Sequence, residues 1–215
     1  MVLKEDGMKK IMIVLIILVS LTLGTFGFLK ASSQDKSFFN MFSIAMETTQ
    51  GKDSILNYKN KVEKVLDEIK LEIPLEEKYF VTITLSKYVT EEELEKLVKE
   101  YNIEILAIEG RSVEKGTNLK GTFFVTPENG MLYDKKLLLD ILQRNEAEFK
   151  GFTAIVANTQ NKDIQKLRND KMVFLIDPSA DTHFVRNPKH EKTNSWDGYA
   201  PSLFPELEKD NLLNH

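Results

Sequence analysis

The densest hydrophobic stretch of the chain is IMIVLIILVSLTLGTFGFL, Ile11 to Leu29, which carries no charged residue and is bounded by Lys9 and Lys10 before it and Lys30 after it. Nineteen helical residues at 1.5 Å each roughly match the 30 Å hydrocarbon core of a bilayer, so this segment reads as a transmembrane anchor. The other reading is a cleaved secretory signal, whose apolar region normally runs about 7 to 15 residues before a small-residue cleavage site. Thr25 and Gly27 are small enough for such a site, but no A-x-A pattern accompanies them. Lys4, Lys9 and Lys10 next to the apolar run keep residues 1–10 on the cytoplasmic side as a short tail. Either reading places the rest of the chain outside the cytoplasm, on the membrane or secreted.

Beyond the anchor the pattern changes twice. Residues 30–52 mix polar residues with Phe38, Phe39, Met41, Phe42, Ile44 and Met46, too apolar for a free linker, and read as a piece lying on the bilayer or prolonging the anchor. From Asp53 or Ser54, either of which can cap a helix, Ile55, Tyr58, Val62, Val65 and Ile69 fall at helical a/d spacing, and Pro74 marks the limit. Together, residues 30–74 are expected to form a juxtamembrane and helical stalk. The stripe packs on the following domain, makes a homodimer through residues 53–70, or lies on the membrane surface.

At Lys78 the period becomes two. Val81, Ile83 and Leu85 alternate with Thr82, Thr84 and Ser86, which predicts a half-buried strand. Thr90 and Glu93 then form a capping box, with Val89 and Leu94 at the positions of a hydrophobic staple. The helix so started turns Leu94, Leu97, Val98 and Tyr101 inward and stops at Asn102, before an apolar run from Ile103 to Ile108. A similar layout recurs from Gly151. There Phe152, Ala154 and Val156 alternate, Asn158 to Asn161 suggest a polar turn, Ile164 and Leu167 mark a short helix, and Met172 to Ile176 is an apolar run closed by Asp177-Pro178.

Two β-α-β units of this kind are the halves of a ferredoxin-like (split β-α-β) sandwich. Between them lie a polar loop from Arg111 to Gly121, a strand from Thr122 to Val125 and a turn from Pro127 to Gly130. A helix follows from Asp134, with Leu138, Ile141, Leu142, Asn145 and Phe149 on one face and Leu137 and Leu139 widening it. The expected class is therefore α+β: a transmembrane helix, a helical stalk, and an extracytoplasmic domain over 78–178 with an inserted strand and helix. The alternative is a different α/β sheet in which five strands are equal partners. Residues 179–215 lack a regular period and read as an irregular aromatic strap, with Trp196, Tyr199 and Phe204 docking on a partner or on the domain itself.

Composition narrows the functional classes. The 215 residues hold 29 Lys plus Arg against 33 Asp plus Glu, and with residues 1–29 set aside the body carries about −5. An acidic body without a basic block has no electrostatic basis for gripping phosphates, which argues against a nucleic-acid partner. Zero cysteine removes disulfides, thiolate metal sites, cysteine nucleophiles and lipid-modified cysteine anchors.

The one dense polar constellation is DPSADTHF, giving Asp177, Ser179, Asp181 and His183 just past the last strand, where α/β folds often place ligand sites. Neighbours this close in sequence do not readily converge as nucleophile, base and orienter, and Asp-Pro-Ser is turn chemistry in its own right. Asp181, His183 and His190 offer carboxylate and imidazole, but no helical ligand pair accompanies them. Arg111 ends a strand with a guanidinium suited to a carboxylate or phosphate, or to a surface ion pair. Gly116 and Gly121 do not make a phosphate loop.

The sequence thus points to a membrane-anchored binding or structural module of an envelope complex, with no catalytic activity, cofactor or metal. Its partners would be the bilayer through residues 11–29 and a protein or second copy through the 53–70 helix or the strap. The alternatives are a membrane-anchored hydrolase and a small-ligand sensor, both using the Asp177 to His183 region. Candidate contact residues are Arg111, Asp177, Asp181, His183, Trp196, Tyr199 and Phe204.

Overall fold

The β1 segment, Lys78–Val89, is buried on both faces rather than one. Its Val81, Ile83 and Leu85 lie inside the apolar core, and Thr82, Thr84 and Ser86 on the opposite face are buried as well. The structure, a computed structural model, describes residues 41–72, 74–181 and 200–213. All of them fall in the second of two units into which the chain divides, Phe38–His215. The expected anchor at 11–29, and with it His183, His190, Trp196 and Tyr199, lies outside the described residues. No helix among the described residues is long and apolar enough to cross a membrane.

The elements in order are α1 (Met41–Thr48), α2 (Lys52–Glu72), β1, α3 (Glu91–Glu100), β2 (Glu104–Glu114), β3 (Lys120–Val125), α4 (Lys135–Arg144), β4 (Ala147–Gln160), α5 (Asn161–Leu167), β5 (Val173–Asp177) and α6 (Phe204–Lys209). The fold is α+β, with one five-stranded sheet in the order β3-β2-β4-β1-β5 and every neighbouring pair antiparallel. β1 and β2 flank β4, and β4 and β5 flank β1. Each β-α-β unit is therefore split by one strand of the other.

Local signals account for several boundaries. Thr90 accepts from the Glu93 amide while the Glu93 side chain accepts from the Thr90 amide, a complete capping box for α3. Leu94 and Leu97 on its inner face are buried, and Asn102, at φ 49°, turns the chain out of the helix. Asp134 caps α4 through a 2.9 Å bond from the Leu137 amide. Gly110 lets β2 pass under the Phe123 ring, where a Cβ would stand 2.4 Å from the ring tip.

Other expectations need correction. The polar loop proposed at 111–121 is mostly strand, because Arg111, Ser112 and Val113 pair with β3 and β4 at once. α4 ends at Arg144, and Phe149 sits in β4: Asn145 turns its side chain back onto the Ile141 carbonyl and Glu146 takes φ 47°, which a helix cannot continue through. Leu137 and Leu139 are exposed, so the buried face of α4 is narrow. The turn expected at 158–161 is absent, since β4 runs to Gln160 and α5 starts on the next residue.

Residues 41–72 belong to the domain. α1 packs on α2 across Gly51, whose φ of 103° makes the corner, and Ile44 joins the common core. On α2 the buried residues are Ile55, Tyr58, Val62, Leu66 and Ile69, with Val65 only half covered. α2 touches β5, α5 and α6. Arg168, at the end of α5, ties it down with hydrogen-bonded ion pairs to Glu63 and, at 2.8 Å, to Asp67. The stripe thus packs on the following domain, one of the readings its spacing allowed, and its buried positions lie inside the fold.

Candidate functional site

The Thr face of β1 carries the polar residues that the sequence marked, in two clusters. The first forms where segment 200–213 crosses the sheet. Pro205 in the first turn of α6 fixes a helical start, and Phe204 and Leu207, on one side of that turn, are fully buried together with Leu203 at the cap. The Leu203 amide donates to Thr84 Oγ1 at 3.2 Å, and the Phe204 ring packs against Tyr88 with centroids 5.0 Å apart.

These anchors deliver Glu208 to Arg111. Arg111 Nη2 donates to Glu208 Oε2 at 2.8 Å, and Lys120 Nζ and the Tyr88 hydroxyl both reach Oε1, the lysine at 3.0 Å. The Arg111 and Glu208 side chains are 11% and 10% exposed, which makes this a desolvated pair rather than a surface one. Burial alone would raise the Glu208 carboxyl, but the bonds from Tyr88, Arg111 and Lys120 outweigh it and hold it below its ordinary value. The Tyr88 hydroxyl is pushed up to about 12 by burial and by the same carboxylate. Arg111 Nη1 is anchored on Thr122, and Nε is buried with no hydrogen-bond partner. Beside this hub, buried Glu109 accepts from Thr153 Oγ1 at 2.8 Å, and burial raises its pKa.

The second cluster lies farther along the sheet. Asp177 pairs in register with Thr82 at the end of β5, whereas Arg111 pairs with Gly151, five residues beyond the β4 partner of Thr82. Asp177 Oδ2 accepts the Tyr58 hydroxyl at 2.6 Å and Oδ1 accepts the Ser179 amide at 2.9 Å. Burial raises the Asp177 pKa, and the bonds from Ser179 and Tyr58 offset only part of that. Burial and the neighbouring carboxylate push the Tyr58 hydroxyl well above its ordinary value. Asp181 accepts the Phe80 amide at 2.7 Å, and its own amide donates to Pro178.

The structure therefore separates the sequence candidates. Arg111 and the Phe204 segment come together through Glu208, and Asp177 and Asp181 belong to a different, buried cluster. The Asp177-Pro178-Ser179 stretch has the turn bond its composition suggests. Sequence reasoning missed Glu208, Tyr88 and the hydroxyl of Tyr58. Pro205 with Phe204 and Leu207 three residues apart was the available signal for α6.

Among the described residues no group of three His, Cys, Asp or Glu is disposed to hold a metal ion. A groove of about 600 Å³ runs between the β2–β3 hairpin and α4, bordered by Ser112, Lys120, Phe123, Ile141 and Arg144. Arg111, Asp177 and Asp181 are not part of its lining. No protein-family model matches the chain, and no curated protein or solved structure is significantly similar to it.

Proposed function

We propose that the chain is a membrane-anchored binding module without catalytic activity. Residues 11–29 hold it in the bilayer, residues 1–10 stay in the cytoplasm, and the body docks another protein outside as part of an envelope complex. The observation that carries this reading is the way Arg111, Asp177 and Asp181 are used. Each is committed to bonds that hold one element to another: Arg111 to Glu208 of α6, Asp177 to Tyr58 of α2, Asp181 to the backbone of β1. A catalytic group needs a partner it can exchange protons with and access to substrate, and these side chains are buried in structural roles instead.

The interleaved order β2-β4-β1-β5 supports a ferredoxin-like core in which β3 and α4 are the insertion. The charge-free run Ile11 to Leu29 and its flanking lysines support the anchor and its orientation. A reporter fused after Lys30 tests the orientation, with an extracytoplasmic signal expected. Crosslinking of the full chain in native membranes, followed by identification of the adduct, tests the function. A discrete protein adduct is the expected result. A cytoplasmic reporter signal overturns the topology, and hydrolytic turnover lost on Asp177→Asn overturns the non-catalytic reading.

A further inference from the structure

Segment 200–213 sits on the sheet as a ligand sits in a site. α6 has six residues, far short of the roughly 12 to 15 that an isolated helix needs, so its helical form depends on the surface beneath it. That surface recognises it by a mixed code. Apolar side chains Leu203, Phe204 and Leu207 are fully covered, the Thr84 hydroxyl takes a backbone amide, and Arg111, Lys120 and Tyr88 converge on one carboxylate. A sheet face meant only as core would be more cheaply covered by apolar residues, because a buried ion pair costs desolvation on both sides.

Eighteen residues, 182–199, separate Asp181 from the segment in the sequence. Their contour can span up to roughly 60 Å at about 3.3 Å per residue, so chain connectivity does not force the segment onto its own sheet. We propose that segment 200–213 is an exchangeable latch, and that its seat at Thr84, Tyr88, Arg111 and Lys120 is the surface through which a second copy of this chain docks, each copy lending its latch to the other. A second copy carries the same Leu203, Phe204, Leu207 and Glu208, so its fit to the seat is the fit already seen. Reciprocal exchange closes with two-fold symmetry and creates no unpaired group. The inference goes beyond the proposed function and does not depend on the anchor, because seat and latch both lie in the body.

Opposite charge reversals placed on separate chains test it. In full-length R111E the seat is reversed and the latch intact; in full-length E208R the latch is reversed and the seat intact. Within either chain like charges face each other, whereas across a mixture both latches meet seats of opposite charge. Differently tagged R111E and E208R, mixed in mild detergent, should co-purify about tenfold more than either variant with itself, as expected for removal of like-charge contacts in a desolvated interface. Co-purification no greater than in the homotypic mixtures overturns the proposal.

If a reversal fails to fold, Glu208→Gln with a labelled synthetic peptide of residues 200–213 gives a second readout. The peptide should bind this variant about tenfold more tightly than wild type, whose own latch competes for the seat at high effective concentration. Equal binding to both overturns exchange. A crosslinking test that finds no foreign partner leaves this result untouched, so the two proposals fail separately.

Discussion

Replacing Tyr58 by Phe removes one oxygen from a helix that would otherwise pack unchanged. The ring stays in the core, and the 2.6 Å hydrogen bond to Asp177 Oδ2 is lost. Leaving a buried acceptor without its donor costs about 1–3 kcal/mol, and more when the acceptor is charged, so a loss of about 2 kcal/mol is expected at neutral pH. In a body of this size that corresponds to a melting temperature lower by about 4–8 °C.

The pH dependence follows from the sign of the Asp177 shift. Burial already raises this carboxyl above its ordinary 3.8, and the Tyr58 bond works in the opposite direction, so Tyr58→Phe raises it further. A raised acid in the folded state is fully tolerated below its unfolded value and becomes costly as pH rises through the folded value. The deficit of Tyr58→Phe should therefore be larger at pH 7 than at pH 4. In an Asp177→Asn background the same substitution should cost clearly less, since no buried charge remains to be stranded. Urea unfolding of the four full-length proteins at the two pH values measures this as a double-mutant cycle. A Tyr58→Phe loss under about 0.5 kcal/mol at both pH values, within the ordinary scatter of surface changes, would refute the argument that this bond ties α2 into the domain.

Glu208→Gln should destabilise by about 2 kcal/mol at pH 7, the scale of a hydrogen bond to a charged group. Its carboxyl is held below the ordinary 4.5, so the stabilisation is present above that value and the difference from wild type should disappear as pH falls through the folded value, which thermal melts across the acid range will show. Gly110→Ala drives a Cβ into the Phe123 ring and should cost about 1–3 kcal/mol by chemical denaturation, as overpacking does. Thr90→Ala removes the α3 cap and should cost about 1 kcal/mol, read from the same denaturation curves, with Thr90→Ser recovering most of it.

What the sequence revealed and what it hid divide by distance along the chain. The α3 cap, the Asp134 cap, the presence of the strands and the two β-α-β layouts depend on residues within one element or its neighbour, and periodicity reports those directly. The burial of Thr84 depends on a cover supplied by residues 200–213, whose Leu203 amide donates to it from more than a hundred positions away, and in sequence a Thr/Ser row is the signature of a solvent face. Tyr58 was placed correctly on the α2 stripe, but its hydroxyl acquires a role only when β5 brings Asp177 to it. Arg111 was read as suited to a carboxylate or phosphate, or to a surface ion pair, and its buried partner Glu208 was hidden in a segment that shows no extended period. The boundary between α4 and β4 misled because Leu138, Ile141, Leu142, Asn145 and Phe149 continue a helical spacing across Glu146, where the backbone in fact reverses.

Photo-crosslinking from position 139 tests the account most directly, because Leu139 is 65% exposed on α4 and far from both polar clusters in sequence. The full chain carrying a photoreactive residue there would be irradiated in native membranes, with and without Asp177→Asn. The account predicts a protein adduct of one discrete mass, unchanged by Asp177→Asn, because the proposed function is docking and the bonds of Asp177 hold the fold together. An adduct that disappears with Asp177→Asn in a chain that still folds, or crosslinks to lipid alone, would contradict it.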